Sequence, residues 1–411
     1  MLTRRNLLKR SSLLALAPTV PGFLAHLARA VEAKADDRVL VVVQLDGGND
    51  GINTVVPYRD EGYSKHRERL RLPAERLCKL DAAVALHPSM QAMSDLFQKQ
   101  RLAIVQGVGY PNPNRSHDVS MAVWHTARLD REEHQGHGWL GRALDQLPQQ
   151  PGVPGAMLVG AGALPAAVLS RRSVAGSFSR LDELAVQNVP ARTSSVVTAS
   201  RRRTAVASAD HSADDLEAFV RRAALDTYTT ADALAAAAAR ERGKATYPAN
   251  QLGEQLGMVA RLIEADLPTR VYYLVHSGYD THAAQADTHA RLLNELSGAL
   301  AAFVNDLTEA KLIERVLVMT FSEFGRRVAE NASAGTDHGT AGPMFLTGGL
   351  VRGGLFGGTP RLLDLEDGDL KMSVDFRRVY ATILRDWLDV RPDAVLAGEF
   401  ESLNVLSGAP G

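Results

Sequence analysis

An open α/β architecture, built on a mainly parallel central sheet with helices on both faces, is what this sequence predicts, and three observations predict it. Short apolar runs without polar alternation recur at 39–45, 102–108, 271–275 and 316–321, the pattern of strands buried on both faces. Segments of helical periodicity lie between and after them, at 89–100, 117–128, 213–224, 229–242, 249–265, 284–310 and 376–389. Finally, several of the apolar runs end directly in polar, glycine-containing stretches, which is where open α/β sheets gather their ligands.

Taken in order, the chain opens with Thr3-Arg4-Arg5-Asn6-Leu7-Leu8-Lys9, an apolar run from Leu13 to Leu27, and Ala28-Arg29-Ala30. Paired arginines, a short hydrophobic region and small residues before a cut form a twin-arginine export signal over 1–30. Pro18 and Pro21 interrupt the run, which falls short of the roughly 20 residues that a membrane-spanning helix needs. The expected setting is therefore the periplasm or the exterior, reached through the twin-arginine machinery, with no transmembrane segment in the mature protein.

Residues 31–411 are expected to form one α/β domain. Its middle, rich in Ser, Arg, Ala and Val over 167–210 and then in Ala, reads as a helical insertion or cap over 165–250. The Gly-rich segment 348–358 reads as turns and an edge hairpin; it lacks a phosphate-loop lysine.

Composition narrows the function classes. Lys+Arg is 46 and Asp+Glu 47, and the leader holds five of the basic residues (Arg4, Arg5, Lys9, Arg10, Arg29) and no acidic one, so the remainder is acidic by six charges. That balance argues against nucleic acid and against an anionic membrane surface as main partners. Cys78 is the single cysteine, so disulfides do not hold this chain together, and no partner motif marks it as a nucleophile.

The chemistry-bearing residues follow the strands. Asp46 stands directly after the first, ahead of Gly47 and Gly48, which let backbone approach a ligand; Asn49 and Asp50 are expected to cap the turn instead. After 102–108 comes Asn114-Arg115-Ser116-His117-Asp118, with Ser116 at a helix start, either as an N-cap or as an alcohol beside a metal. Strand 271–275 leads to His276 and to Asp280-Thr281-His282, a spacing compatible with zinc or manganese; His276 is open as ligand or as orienting residue, and His289 is a less certain member. Strand 316–321 delivers Ser322-Glu323-Phe324-Gly325-Arg326-Arg327, and a loop then presents Asp337-His338 between Gly335 and Gly339. Each of the two arginines is open to binding an anion or pairing with acids.

Laid out in this order, Asp46, Ser116, Asp280-x-His282, Glu323 and Asp337-His338 resemble the pattern of the alkaline phosphatase superfamily, and Asp375 to Leu384 is similar to its closing Asp-x-x-x-Thr-Ile-Leu helix. More closely, Leu45-Asp46-Gly47-Gly48-Asn49-Asp50-Gly51, Asn114 to His117, Gly278 to His282 and Ser322 to Arg326 resemble the exported bacterial family known as domain of unknown function 1501. The resemblance implies an alkaline phosphatase-like fold binding one or two divalent ions, zinc or manganese. Asp46, Asp280, His282, Glu323, Asp337 and His338 are the implied ligands, Ser116 is the candidate nucleophile, and Asn114, Arg115 and Arg326 surround the reacting anion. It implies a periplasmic metal-dependent hydrolase of phosphate esters or related anionic esters, with a small anionic ester as substrate. The alternative is a non-catalytic exported binding or assembly protein that keeps the fold. Two departures stand out: the superfamily's Asp-x-x-x-His is here Asp280-x-His282, and its strand-terminal Asp-His is here Ser322-Glu323-Phe324, without the imidazole. The Cys-x-Pro-x-Arg of sulfatases is absent, which disfavours a standard sulfatase.

Overall fold

A computed structural model of the chain describes residues 38–134, 136–150, 153–179 and 245–407. The leader and the expected helices 213–224 and 229–242 lie outside the described residues. The four expected strands are β1 (Val39–Asp46), β5 (Leu102–Gly109), β8 (Val271–Ser277) and β9 (Val316–Phe321). They join β6 (Ala156–Val159), β7 (Ala175–Phe178), β10 (Gly342–Gly348), β11 (Gly354–Phe356) and β14 (Val374–Asp375) in one open sheet. The order is β11-β5-β10-β9-β1-β8-β6-β7, with β14 also pairing β5. Pairings are parallel except those of β10, which runs against both β5 and β9. The expected α/β class, with a mixed and mostly parallel sheet, is what the chain adopts.

β1 explains why the sheet is covered twice. Val39, Val41, Val43 and Leu45 point to one face, where α3 (Gln91–Gln98), α6 (Gln251–Glu264) and α7 (Gln285–Glu309) pack through residues such as Leu96, Leu256 and Leu300. Leu40 and Val42 point to the other, against α4 (His117–Thr126), α5 (Trp139–Leu144) and α8 (Phe376–Thr382), through Trp124, Trp139 and Tyr380. Full burial of each such aliphatic side chain is worth about 1.5–3 kcal/mol, so β1 contributes to both layers at once. A small separate sheet of β2 (Val55–Val56), β4 (Ala85–Leu86) and β3 (Cys78–Lys79) packs Val55, Leu86 and Cys78 into the first of these layers, and its Val56 and Ala85 share a further, smaller cluster with Leu370 of the pair β12 (Leu365–Glu366) and β13 (Asp369–Leu370).

Three expectations need correction. Residues 175–178, inside the span read as a helical insertion, form β7 and extend the sheet parallel to β6; their small side chains Ala175-Gly176-Ser177 gave no strand signal. The Gly-rich segment supplies an edge strand but no hairpin, because β10 lies between β5 and β9 while β11 runs parallel on the other side of β5. Asp50 does not cap the turn before the short helix α1 (Gly51–Thr54): it makes no capping bond, and its carboxylate pairs with Arg67 at 2.5 and 2.9 Å. Both side chains are wholly buried, and Arg67, directly after α2 (Glu61–His66), further donates to the carbonyls of Val328 and Arg327. Burial alone would raise the Asp50 carboxyl, but the Arg67 guanidinium outweighs it and holds it at about 2.

Candidate metal centre

The carboxyl ends of β1, β8 and β9 meet the N-terminus of α4 at one place. Gly47 and Gly48, at φ +117° and +79°, turn the chain out of β1 so tightly that a Cβ on Gly47 would lie 2.4 Å from the Asp280 amide nitrogen. From the same point the Tyr279 amide donates to the Asp46 carbonyl at 3.1 Å, locking the β8 loop against β1. α4 is fastened there too, since Ser120 Oγ and Trp124 Nε1 both donate to the Glu323 carbonyl.

The carboxylate of Asp280 is the centre. Its Oδ1 lies 3.1 Å from His282 Nε2, 3.3 Å from His338 Nε2 and 3.7 Å from His117 Nε2, and the two imidazole nitrogens of His282 and His338 are 2.9 Å apart. The donor atoms of His117, Asp280 and His338 all fall within 4.8 Å of one another. Each imidazole is held from behind through Nδ1. His117 Nδ1 donates to Glu323 Oε1 at 2.7 Å, His282 Nδ1 to Asp337 Oδ1 at 3.0 Å, and His338 Nδ1 to the Arg115 carbonyl at 2.8 Å. Because those partners only accept, Nδ1 carries a proton in all three rings, so that in the neutral imidazoles three Nε2 lone pairs face one carboxylate oxygen. Lone pairs so arranged repel unless a cation lies among them. Imidazoles whose far nitrogen is bound by a carboxylate or carbonyl are the usual metal-binding arrangement, and a tetrahedral zinc site spaces its ligand atoms about 3.3 Å apart. The donor set fits a divalent transition metal.

Electrostatics agree with an ionised site. Burial acts to raise the Asp280 carboxyl, yet Arg326, by its hydrogen bond and its charge, leaves it below its usual value. Asp337 is lowered as well, by hydrogen bonds from Asn331 first and His282 second.

The remaining expected residues take other places. Glu323 is buried, and its carboxylate accepts from Gly47 N at 2.9 Å, Ser322 Oγ at 3.0 Å and His117, so it stands behind an imidazole. Asp337 likewise stands behind His282. Asp46 Oδ1 accepts from Gln44 Nε2 at 3.0 Å. Arg326, 1% exposed, does not present itself to an anion: its guanidinium is turned inward onto loop carbonyls and Asp280. Arg115 pairs with the buried Asp369 and keeps a side chain 40% exposed. Asn114 Oδ1 accepts from the Ser116 amide at 2.8 Å, and Ser116 is the N-cap of α4 without a side-chain capping bond, leaving its hydroxyl unspent on the helix. His276 faces Tyr279 OH and Glu295, and His289 is buried against Asn49 and Thr54; neither reaches the cluster's histidines. His117 is the residue the sequence reading undervalued. Its signal was its position, an imidazole directly after Ser116 at the first turn of a helix.

An open α/β sheet with a histidine and carboxylate centre at its strand ends is thus the class that fold and site define. The chain belongs to the family described as Protein of unknown function (DUF1501), whose model matches residues 37–391. It matches none of the curated proteins with which it was compared. Among solved structures it is similar to the PsFucS1 sulfatase from Pseudoalteromonas sp., with 12% identity over 93% of this chain and 75% of that one at a TM-score of 0.41. It is also similar to the C-terminal periplasmic domain of EcEptC from Escherichia coli in complex with Zn, with 8% identity, 77% and 74% coverage and a TM-score of 0.36. A third is the phosphonate monoester hydrolase of Agrobacterium radiobacter, with 9% identity, 75% and 67% coverage and a TM-score of 0.34. Among the described residues no helix is long and apolar enough to cross a membrane.

Proposed function

We propose that this protein is an exported, metal-dependent hydrolase of phosphate esters or related small anionic esters, with Ser116 as nucleophile. One observation carries the reading: three imidazole Nε2 atoms converge on Asp280 at the helix start whose N-cap, Ser116, has a hydroxyl with no capping duty. A bound divalent ion, zinc or manganese, supplies Lewis acidity to a nearby alcohol and to ester oxygens.

The protein's own residues do the rest. His117, Asp280, His282 and His338 hold the cation, while Glu323 and Asp337 fix the imidazoles in the binding tautomer. Ser116 Oγ attacks the ester's central atom as its proton passes to solvent, the bond to the leaving oxygen breaks and the alcohol departs with a proton from solvent, and a water molecule then hydrolyses the ester on the serine, releasing the acid and restoring the hydroxyl. The free amides of the first turn of α4 and its dipole face the developing negative charge, and Arg115, anchored by Asp369, offers N–H groups to the equatorial oxygens. The Asn114 side chain sets the Ser116 backbone for that approach.

The test is a purified, zinc- or manganese-replete protein assayed against phosphomonoesters, phosphodiesters and sulfate esters. Ser116→Ala is expected to lose turnover while keeping its metal; unchanged turnover in that variant overturns the role of Ser116. The second reading, an exported binding or assembly protein without catalysis, is favoured by Phe324, which stands where the superfamily pattern has an imidazole. A metal-replete protein inert across the whole panel decides for it.

A further inference from the structure

Arg326 is the least expected feature of the site. It is a cation 1% exposed, and it is caged by five oxygens drawn from three loops. Nε donates to the Gly48 carbonyl at 2.7 Å and Nη1 to that of Thr336 at 2.8 Å. Nη2 faces the carbonyls of Gly47 and of Tyr279, the latter at 3.0 Å, and Asp280 Oδ1 at 2.7 Å. Carbonyl and carboxylate oxygens converging from separate loops are the surroundings of a hard cation. Here a guanidinium fills them, and it touches the same carboxylate oxygen on which the imidazoles converge.

We infer that this chain carries a single divalent-cation centre, held by His117, Asp280, His282 and His338, and that Arg326 is a built-in monovalent cation in place of a second ion. The inference rests on the metal-dependent reading above and specifies its stoichiometry. Charge and geometry both support it. The three carboxylates that ring the cluster, Asp280, Glu323 and Asp337, are balanced by one divalent ion together with Arg326. A second divalent ion beside the guanidinium would leave the same carboxylates facing an excess of positive charge. Asp46, the acid a second centre would draw on, accepts from the Gln44 amide, and that amide's own oxygen accepts from Tyr273 OH and lies 3.2 Å from His125 Nε2. Glu323 Oε1 is taken up by Gly47 N and His117 Nδ1. Arg326 also ties the β1, β8 and 336 loops together, so the fixed charge sets where Asp280 stands.

Equilibrium dialysis of the full chain against zinc, and separately manganese, followed by elemental analysis, tests this without reference to turnover. One equivalent per chain is expected, falling to background in His338→Ala and staying at one in Asp46→Asn. Two equivalents in the native protein, none at all, or loss of the ion in Asp46→Asn each overturn it. Circular dichroism shows whether the two variants are folded. Ester turnover on the same preparation separates the two proposals: one equivalent without turnover upholds the centre and sinks the hydrolase, whereas two equivalents with turnover do the reverse.

Discussion

His117 Nδ1 and Glu323 Oε1 stand 2.7 Å apart, and this bond joins the first residue of α4 to the residue two past β9. Since Glu323 is buried and also accepts from Gly47 N, one carboxylate fixes the imidazole, the β1 turn and the helix start together. Glu323→Gln is therefore expected to weaken zinc binding about 10–100-fold, the usual effect of losing a ligand's supporting acid, with little change in the fold. A chelator competition titration reads the affinity; an unaltered value would show that Glu323 does not hold His117.

The Asp50–Arg67 pair beneath the site is sealed from water, so removing one partner strands the other. Arg67→Ala is expected to cost about 3–5 kcal/mol in urea unfolding. The double change Asp50→Asn with Arg67→Met is expected to cost less than the sum of the single changes, because no buried charge is left alone. Additive effects would contradict the coupling.

Gly47→Ala probes the closed loops. The added methyl would meet the Asp280 amide at 2.4 Å, at a φ of +117° that side chains rarely adopt. Expected is a loss of about 1–3 kcal/mol together with weaker metal binding, measured by thermal unfolding and dialysis. A variant with native metal affinity would show that the loop yields without moving Asp280.

Acid should destabilise the protein in two windows. Burial pushes His87, His125 and His289 down from 6.5 to about 4, so between those values the unfolded chain binds protons that the folded chain refuses. Stability accordingly falls as the pH drops from 6.5 toward 4, by at most about 1.4 kcal/mol per pH unit for each histidine. The depressed Asp50 carboxyl adds a second loss, from its ordinary 3.8 down through about 2. Urea unfolding in the presence of chelator, which removes the contribution of bound metal, measures both; a flat profile from pH 7 to 4.5 would contradict the histidine assignment. His125→Gln should reduce the slope by about one proton.

What was legible in the sequence follows from burial. β1, β5, β8 and β9 are continuous apolar runs because helices cover both their faces, and a strand of that kind announces itself. β7 and β10 did not, since Ala175-Gly176-Ser177 and the glycine-bounded Gly342–Gly348 carry little β-branched content, and their strand character comes from pairing with neighbours. In the candidate site, Asp280, His282 and His338 were readable as polar residues delivered by a strand end and a loop, and the structure brings them together. The division of labour among the acids was not: whether a carboxylate meets a cation or the back of an imidazole depends on distances that spacing does not encode, as Glu323 and Asp337 show. Nor did the sequence reveal that Arg326 turns inward, because arginines at loop positions face water far more often than they fill a cage of carbonyls.

The place of β1 has a consequence for how the molecule is made. It sits between β8 and β9, with Leu40 opposite Val271 and Val39 opposite Val316, so the strand synthesised first waits for partners from the far half of the polypeptide. Its backbone edges stay unpaired and its apolar faces uncovered until then, which predicts slow, late acquisition of the native state and dependence on holdase chaperones while the nascent chain emerges.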